Sequence, residues 1–169
     1  FVKNLKTKKE EELIITNEKV ITPAASLMQK NRNTNKLYIG YNSPKTPGKS
    51  FVYDISTKEK TIVKEEVIPS GHVPDDYIVE RLNCDSHDGK KIPVTITRHK
   101  KTKLDGSANL LLYAYGSYGA SMGPGFSSSR LSLINRDIIW VTAHIRGGLE
   151  RGMKWWKEGK LLNKKNTFE

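Results

Sequence analysis

Two apolar runs constrain the fold of this chain more than any other feature. They are Asn109-Leu110-Leu111-Leu112-Tyr113-Ala114-Tyr115 and Ile138-Ile139-Trp140-Val141-Thr142-Ala143-His144, and neither alternates with polar residues. An alternating strand needs one dry face, whereas a strand that is apolar throughout needs two, as in a parallel sheet covered on both sides. Between them, residues 127–136 place Leu131, Leu133 and Ile134 at helical spacing. Strand, helix and strand in that order read as the start of an α/β domain. Upstream, residues 77–82 read as a strand and residues 85–90 as a hairpin turn signalled by Asp88-Gly89. Residues 91–97 answer as the second arm, with Pro93 tolerated if that strand lies at an edge.

The first 76 residues have a different character. In residues 1–12 four lysines precede Glu10-Glu11-Glu12, with little to bury, and the stretch reads as a frayed end. Short strands are expected at residues 13–16, 36–41, 50–55 and 60–64, the last two forming a hairpin around residues 56–59. Residues 42–48 hold two prolines, each of which disfavours helix in the residue before it. Short strands about ten residues apart are the signature of a sandwich, a barrel or a propeller blade.

Composition narrows the function classes. The single cysteine, Cys84, excludes an intrachain disulfide framework and points to a reducing, cytoplasmic setting. The longest apolar run is far shorter than the roughly 20 residues that cross a bilayer, so no membrane partner is expected. No signal peptide opens the chain, and a first residue other than Met suggests a piece of a longer polypeptide. Lys and Arg number 29 against 18 Asp and Glu, a net charge of +11. The excess is concentrated after residue 76, above all between Arg151 and Lys165. Such a stretch could face an anionic partner, and Trp155-Trp156 could stack on bases, but charge runs are most often solvated faces. No helix-turn-helix, zinc-finger or RNA-binding sheet motif accompanies it, so nucleic acid is not the expected partner.

Few residues could carry chemistry. Gly119-Ala120-Ser121-Met122-Gly123 fits the G-x-S-x-G nucleophile motif, but Gly123-Pro124-Gly125 opposes the helix that must follow such a serine. Ser121 therefore reads as part of a glycine-rich loop. No pair among His72, His87, His99 and His144 has metal-ligand spacing, so no metal is expected. His144 ends a strand, where active sites of open α/β sheets gather, and also where structural histidines sit. Tyr115 follows a buried strand and precedes Gly116, which places a phenol at the sheet rim. There it could donate to a developing oxyanion. The competing reading of Tyr115 is a core aromatic partner of Tyr113.

Four segments occur in order: Tyr115-Gly116-Ser117-Tyr118-Gly119; Phe126-Ser127 with Arg130-Leu131-Ser132-Leu133; His144-Ile145-Arg146-Gly147-Gly148; and Gly159-Lys160-Leu161-Leu162-Asn163-Lys164-Lys165-Asn166-Thr167-Phe168. Together they resemble the prolyl oligopeptidase family, most closely its oligopeptidase B (protease II) branch. Residues 88–94 resemble the opening of that family's catalytic domain, and residues 20–76 the strands before it.

The resemblance implies a serine peptidase in which a seven-bladed β-propeller caps an α/β-hydrolase domain. Residues 1–76 would be the last blade strands and residues 77–169 the first part of the peptidase domain. It also implies cleavage of short peptides after Arg or Lys, an oligopeptide substrate as partner, and no cofactor. Tyr115 matches the family's oxyanion tyrosine, and Tyr118 an aromatic position lining the pocket for the residue before the cleaved bond. The triad Ser, Asp and His of the family lies downstream of the segment matching Asn166-Thr167-Phe168. Neither Ser121 nor His144 matches a triad position. The 169 residues alone are then expected to be inactive and prone to aggregate, unless a complementing C-terminal polypeptide supplies the triad. Two departures stand out. Leu149 occupies the place of a third glycine after Arg146, and Gly123 and Gly125 leave uncharged a loop that can carry acids in the oligopeptidase B branch. The alternative function is a non-catalytic basic binding module.

Overall fold

A computed structural model describes residues 1–25 and 33–169 of the chain. The strand region expected upstream of residue 76 therefore has a part, residues 26–32, that lies outside the described residues.

The first residues do more than fray. Strands β1 (Val2–Lys3) and β2 (Glu10–Glu11) pair antiparallel, and Lys3 meets Glu10 at 2.6 Å. The strand expected at residues 13–16 does not form; the Ile14 carbonyl accepts from the Lys60 ammonium at 3.3 Å, not from a neighbouring strand. Next come β3 (Thr22–Ala25), β4 (Lys36–Asn42), β5 (Lys49–Asp54) and β6 (Lys60–Glu65). They form an antiparallel meander in chain order. Alternation in β5 buries Phe51 and Tyr53, while β6 is exposed along its length. The meander has the strand count of one propeller blade; no closed ring of blades occurs among the described residues.

The second sheet contains β7 (Tyr77–Asp85), β8 (Lys91–His99), β9 (Leu110–Ala114) and β10 (Ile139–Ala143), in the order β7-β8-β10-β9. The β7–β8 hairpin turns at Gly89, whose positive φ of 76° suits glycine. Helix α1 (Ser128–Ile134) links β9 to β10, which run parallel as the apolar runs require. Its Leu131 and Ile134 are buried against Tyr77, with Phe126 and Trp140 alongside. Burying a side chain such as Ile134 stabilises by about 2 kcal/mol. A second cluster joins Val94, Val141 and Ala143. Helix α2 (Met153–Lys157) and a 3-10 helix (Leu161–Thr167) follow β10.

Among the described residues β10 is the more buried of the two apolar strands, and β9 stands at the edge of its sheet with Leu112 63% exposed. One expectation needs correcting: Pro93 lies not on an edge strand but in β8, between β7 and β10. It is tolerated because the β10 ladder ends beside it. The His144 amide donates to the Pro93 carbonyl at 2.9 Å, but the reciprocal donor of that antiparallel pair is missing, since proline has no N–H. The Trp155 indole N–H fills its place on the His144 carbonyl at 3.0 Å.

Candidate active site

Strands β9 and β10 end side by side, at Ala114 and Ala143. The segments that leave them, 115–119 and 144–148, therefore start together at the carboxyl edge of the sheet, where open α/β sheets place their sites.

These two segments cross at glycines. Gly116 has φ +61°, and a Cβ on it would come within 2.7 Å of Ile145, the Arg146 carbonyl and Thr167. Gly147 has φ +97°, and a Cβ there would overlap the Gly116 carbonyl. Side chains are excluded on both steric and conformational grounds. The crossing is fastened by the Gly119 amide, which donates to the Gly147 carbonyl at 3.0 Å.

Tyr115 is 43% exposed, and its hydroxyl has no hydrogen-bond partner among the described residues. Tyr113 does not pair with it as a core aromatic; its ring stacks on Trp140 with centroids 6.0 Å apart. Tyr118 is 92% exposed and holds the left-handed backbone at φ +55°, a strain of about 1 kcal/mol for a non-glycine residue. It lines a cleft of about 360 Å³ together with Ser117, Trp156, Lys160, Leu161 and Lys164. The larger cleft, about 730 Å³, lies between the two sheets among Glu18, Lys45, Lys49 and Asp75, and Tyr115 does not line it.

Ser121 stands in an irregular stretch between β9 and α1, with neither a strand directly before it nor a helix directly after. A nucleophile elbow needs both. His87 does lie near a serine and a carboxylate: Ser86 Oγ is 3.4 Å from Nδ1, and Glu169 is 3.8 Å from Nε2. The Ser86 hydroxyl, however, donates to the Glu169 carbonyl at 2.6 Å. In this geometry the hydroxyl points at that acceptor, 2.6 Å away, and His87 is the more distant partner at 3.4 Å.

His144 is buried and structural in its contacts. Arg81 donates to His144 Nε2 at 3.0 Å and to Thr95 Oγ1 at 2.7 Å, and Thr95 Oγ1 lies 2.8 Å from the same ring nitrogen. A guanidinium only donates, so Nε2 accepts and the neutral ring carries its proton on Nδ1. Burial, reinforced by the Arg81 charge, pushes His144 down to about 4.

Arg146 is fully buried and uses all three guanidinium nitrogens. Nε donates to the Asn166 carbonyl at 2.9 Å, and the other two reach Asp88 at 2.5 Å and Ser86 at 3.0 Å. One side chain thus ties the β7–β8 turn to the 3-10 helix, and its hydrogen bond holds Asp88 down at about 2. Beyond it, Leu149 packs against the Gly119 position, and Glu150 accepts the Met122 amide at 2.9 Å. The departure from a third glycine therefore presses a side chain onto the loop that carries Tyr118.

The basic stretch from Arg151 to Lys165 is partly consumed internally. Arg151 donates to the Lys91 carbonyl at 2.8 Å, Lys160 sits 3.7 Å from the Trp156 ring centre, and Lys164 donates to the Gly116 carbonyl at 2.5 Å. Trp155 is buried and has no face to offer a base. No group of metal-ligating side chains occurs among the described residues, and none of their helices is long and apolar enough to cross a membrane.

Residues 124–169 match the family model described as the prolyl oligopeptidase family. The chain is 44% identical over 136 residues to dipeptidyl aminopeptidase BI of Pseudoxanthomonas mexicana, covering 80% of this chain and 19% of that protein. The chain belongs to the prolyl oligopeptidase family. Within the family, protease 2 of Moraxella lacunata is 35% identical over 144 residues, covering 85% of this chain and 21% of that protein. Oligopeptidase B of Leishmania major superposes with a TM-score of 0.80 at 34% identity, over 92% of this chain and 22% of that one. The chain spans about one fifth of the length of the relatives it matches.

Sequence spacing assigns no tertiary partner to Arg146, Asp88, Arg81, Thr95 or Lys164. Arg146 and Lys164 stood inside family-like segments, but their partners lie tens of residues away along the chain, and nothing local in the sequence pairs them.

Proposed function

We propose that this chain is the part of a serine peptidase that supplies the oxyanion tyrosine, Tyr115, and one aromatic wall of the substrate pocket, Tyr118. Residues 1–76 would be the last blade of a propeller, and residues 77–169 the opening of an α/β-hydrolase domain. The reading extends to short peptides cut after Arg or Lys in a cytoplasmic setting, as the oligopeptidase B likeness suggests. The observation that carries it is the Tyr115 phenol. It stands half exposed at the carboxyl end of β9 without a hydrogen-bond partner among the described residues, on a backbone held by crossed glycines. Donors aimed at developing charge, and unspent in the resting state, are what acyl transfer requires.

Among the described residues no serine hydroxyl is free to be activated by a neighbouring histidine. The nucleophile, acid and base are therefore assigned to polypeptide outside these residues, and the 169 residues by themselves turn over no peptide. The test is Tyr115→Phe in the intact peptidase that contains this chain. The kcat on an Arg-ending fluorogenic peptide should fall on the order of 10²-fold to 10³-fold, with KM little changed. Tyr118→Ala should instead raise KM. Unchanged kcat in Tyr115→Phe sinks the oxyanion role, and faster turnover of a Pro-ending peptide than of the Arg-ending one sinks the proposed specificity.

A further inference from the structure

The peptide after Tyr115 carries an ammonium group. Lys164, from the 3-10 helix at Leu161–Thr167, donates to the Gly116 carbonyl at 2.5 Å and to Ser117 Oγ at 2.8 Å. No ladder neighbour holds this peptide, because the pairing of β9 with β10 ends at Ala114. Sterically, Gly116 is walled by Ile145, the Arg146 carbonyl and Thr167. The Lys164 charge adds the attraction that seats the carbonyl among those walls, and a charge-assisted bond of this kind is about twice as strong as a neutral one.

The lysine is itself held in place. It is partly buried, and its ammonium lies 5.4 Å from the centre of the Phe168 ring. The helix it grows from is anchored just beyond it: Asn166 donates to the Glu158 carbonyl at 3.1 Å and Thr167 to the Gly159 carbonyl at 3.1 Å. The Arg146 guanidinium adds a further tie at the Asn166 carbonyl. Tyr115 has no such fastening of its side chain, so the aim of its phenol depends on where the adjoining backbone sits.

We propose that Lys164 is a positioning residue for Tyr115: its ammonium seats the Gly116 carbonyl, and thereby sets the direction of the phenol one residue earlier. The inference rests on the oxyanion reading of Tyr115, and the experiment separates the two. In the intact peptidase, Lys164→Met should lower kcat on the order of 10-fold to 10²-fold, the cost of roughly 1 Å of misplacement. KM should stay within about twofold, because the interaction serves the transition state and not ground-state binding. Lys164→Arg, which keeps a cationic donor, should recover most of the loss. The double variant Tyr115→Phe, Lys164→Met should be no slower than Tyr115→Phe alone, since a misaimed phenol costs nothing once the hydroxyl is gone. Should Lys164→Met fail to fold, Lys164→Gln enters the same cycle.

Multiplying losses in the double variant, a change in KM alone, or full kcat in Lys164→Met would each overturn the positioning role while leaving Tyr115 as donor. Full kcat in Tyr115→Phe would overturn the oxyanion reading, and with it the role given to Lys164.

Discussion

Strands β9 and β10 end side by side, yet the residues that follow them are treated oppositely. After β10, His144 and Arg146 are buried, and the Arg146 guanidinium meets its partners at short range. After β9, Tyr115 and Tyr118 stand in the open, and their segment is fastened by groups from elsewhere: Lys164, the Gly147 carbonyl and Glu150. One strand end spends the Arg146 guanidinium and His144 Nε2 on holding the molecule together. The other is held by the rest and keeps a hydroxyl free. Unspent polar groups at a sheet rim belong to chemistry, and satisfied ones to architecture.

The largest test of this contrast removes the architectural side. Arg146→Met leaves the Asn166 carbonyl and Ser86 without their donor, and should cost about 3 kcal/mol in a denaturant titration. Asp88 should at the same time return from about 2 towards the ordinary carboxylate range, which an NMR titration reads directly. A cost below about 1 kcal/mol would place Arg146 among surface charges.

Acid should act on the same strand end. The folded protein holds His144 at about 4, below the roughly 6.5 of a free imidazole. The unfolded chain therefore takes up the proton first, so stability is full above about pH 6.5 and falls as pH drops towards 4, by about 3 kcal/mol in all. Urea midpoints measured across that window should slope in the wild type and flatten in His144→Gln. Equal slopes would mean that His144 does not titrate as its burial requires.

The smallest effect sharpens the other side. Leu112→Thr, on exposed β9, should change stability by less than about 0.5 kcal/mol. A loss of several kcal/mol would show that the β9 face is covered in solution.

Much of the fold was legible in residue order. The runs at 109–115 and 138–144 with Leu131 and Ile134 between them announced parallel strands joined by a helix, and Asp88-Gly89 announced the hairpin. Which strand would stand at the edge among these residues was not legible. Apolar content says that a strand can be covered, while the neighbour that covers it is a property of strand order. Of the candidate site, Tyr115 could be named from its place between an apolar run and Gly116, and Tyr118 only through the resemblance to the prolyl oligopeptidase family. Arg146 with Asp88, Arg81 with His144, and Lys164 with Gly116 join residues that only tertiary folding brings together, so local spacing carries no trace of them. For His144 the sequence favours a structural role over a catalytic one, and its contacts with Arg81 and Thr95 agree.

The Pro93–Trp155 arrangement has a consequence for strand register. An antiparallel ladder without a marker can slide by two residues and keep every side chain on its proper face. Were β10 to slide along β8, the place opposite Pro93 would pass to another carbonyl, and the Trp155 indole, fixed by its short helix, would no longer lie beneath it. The proline thus acts as a stop that the tryptophan recognises. It exacts the loss of one buried hydrogen bond from every alignment but the native one, and marks the position at which the chain must leave the sheet and begin the segment containing Arg146.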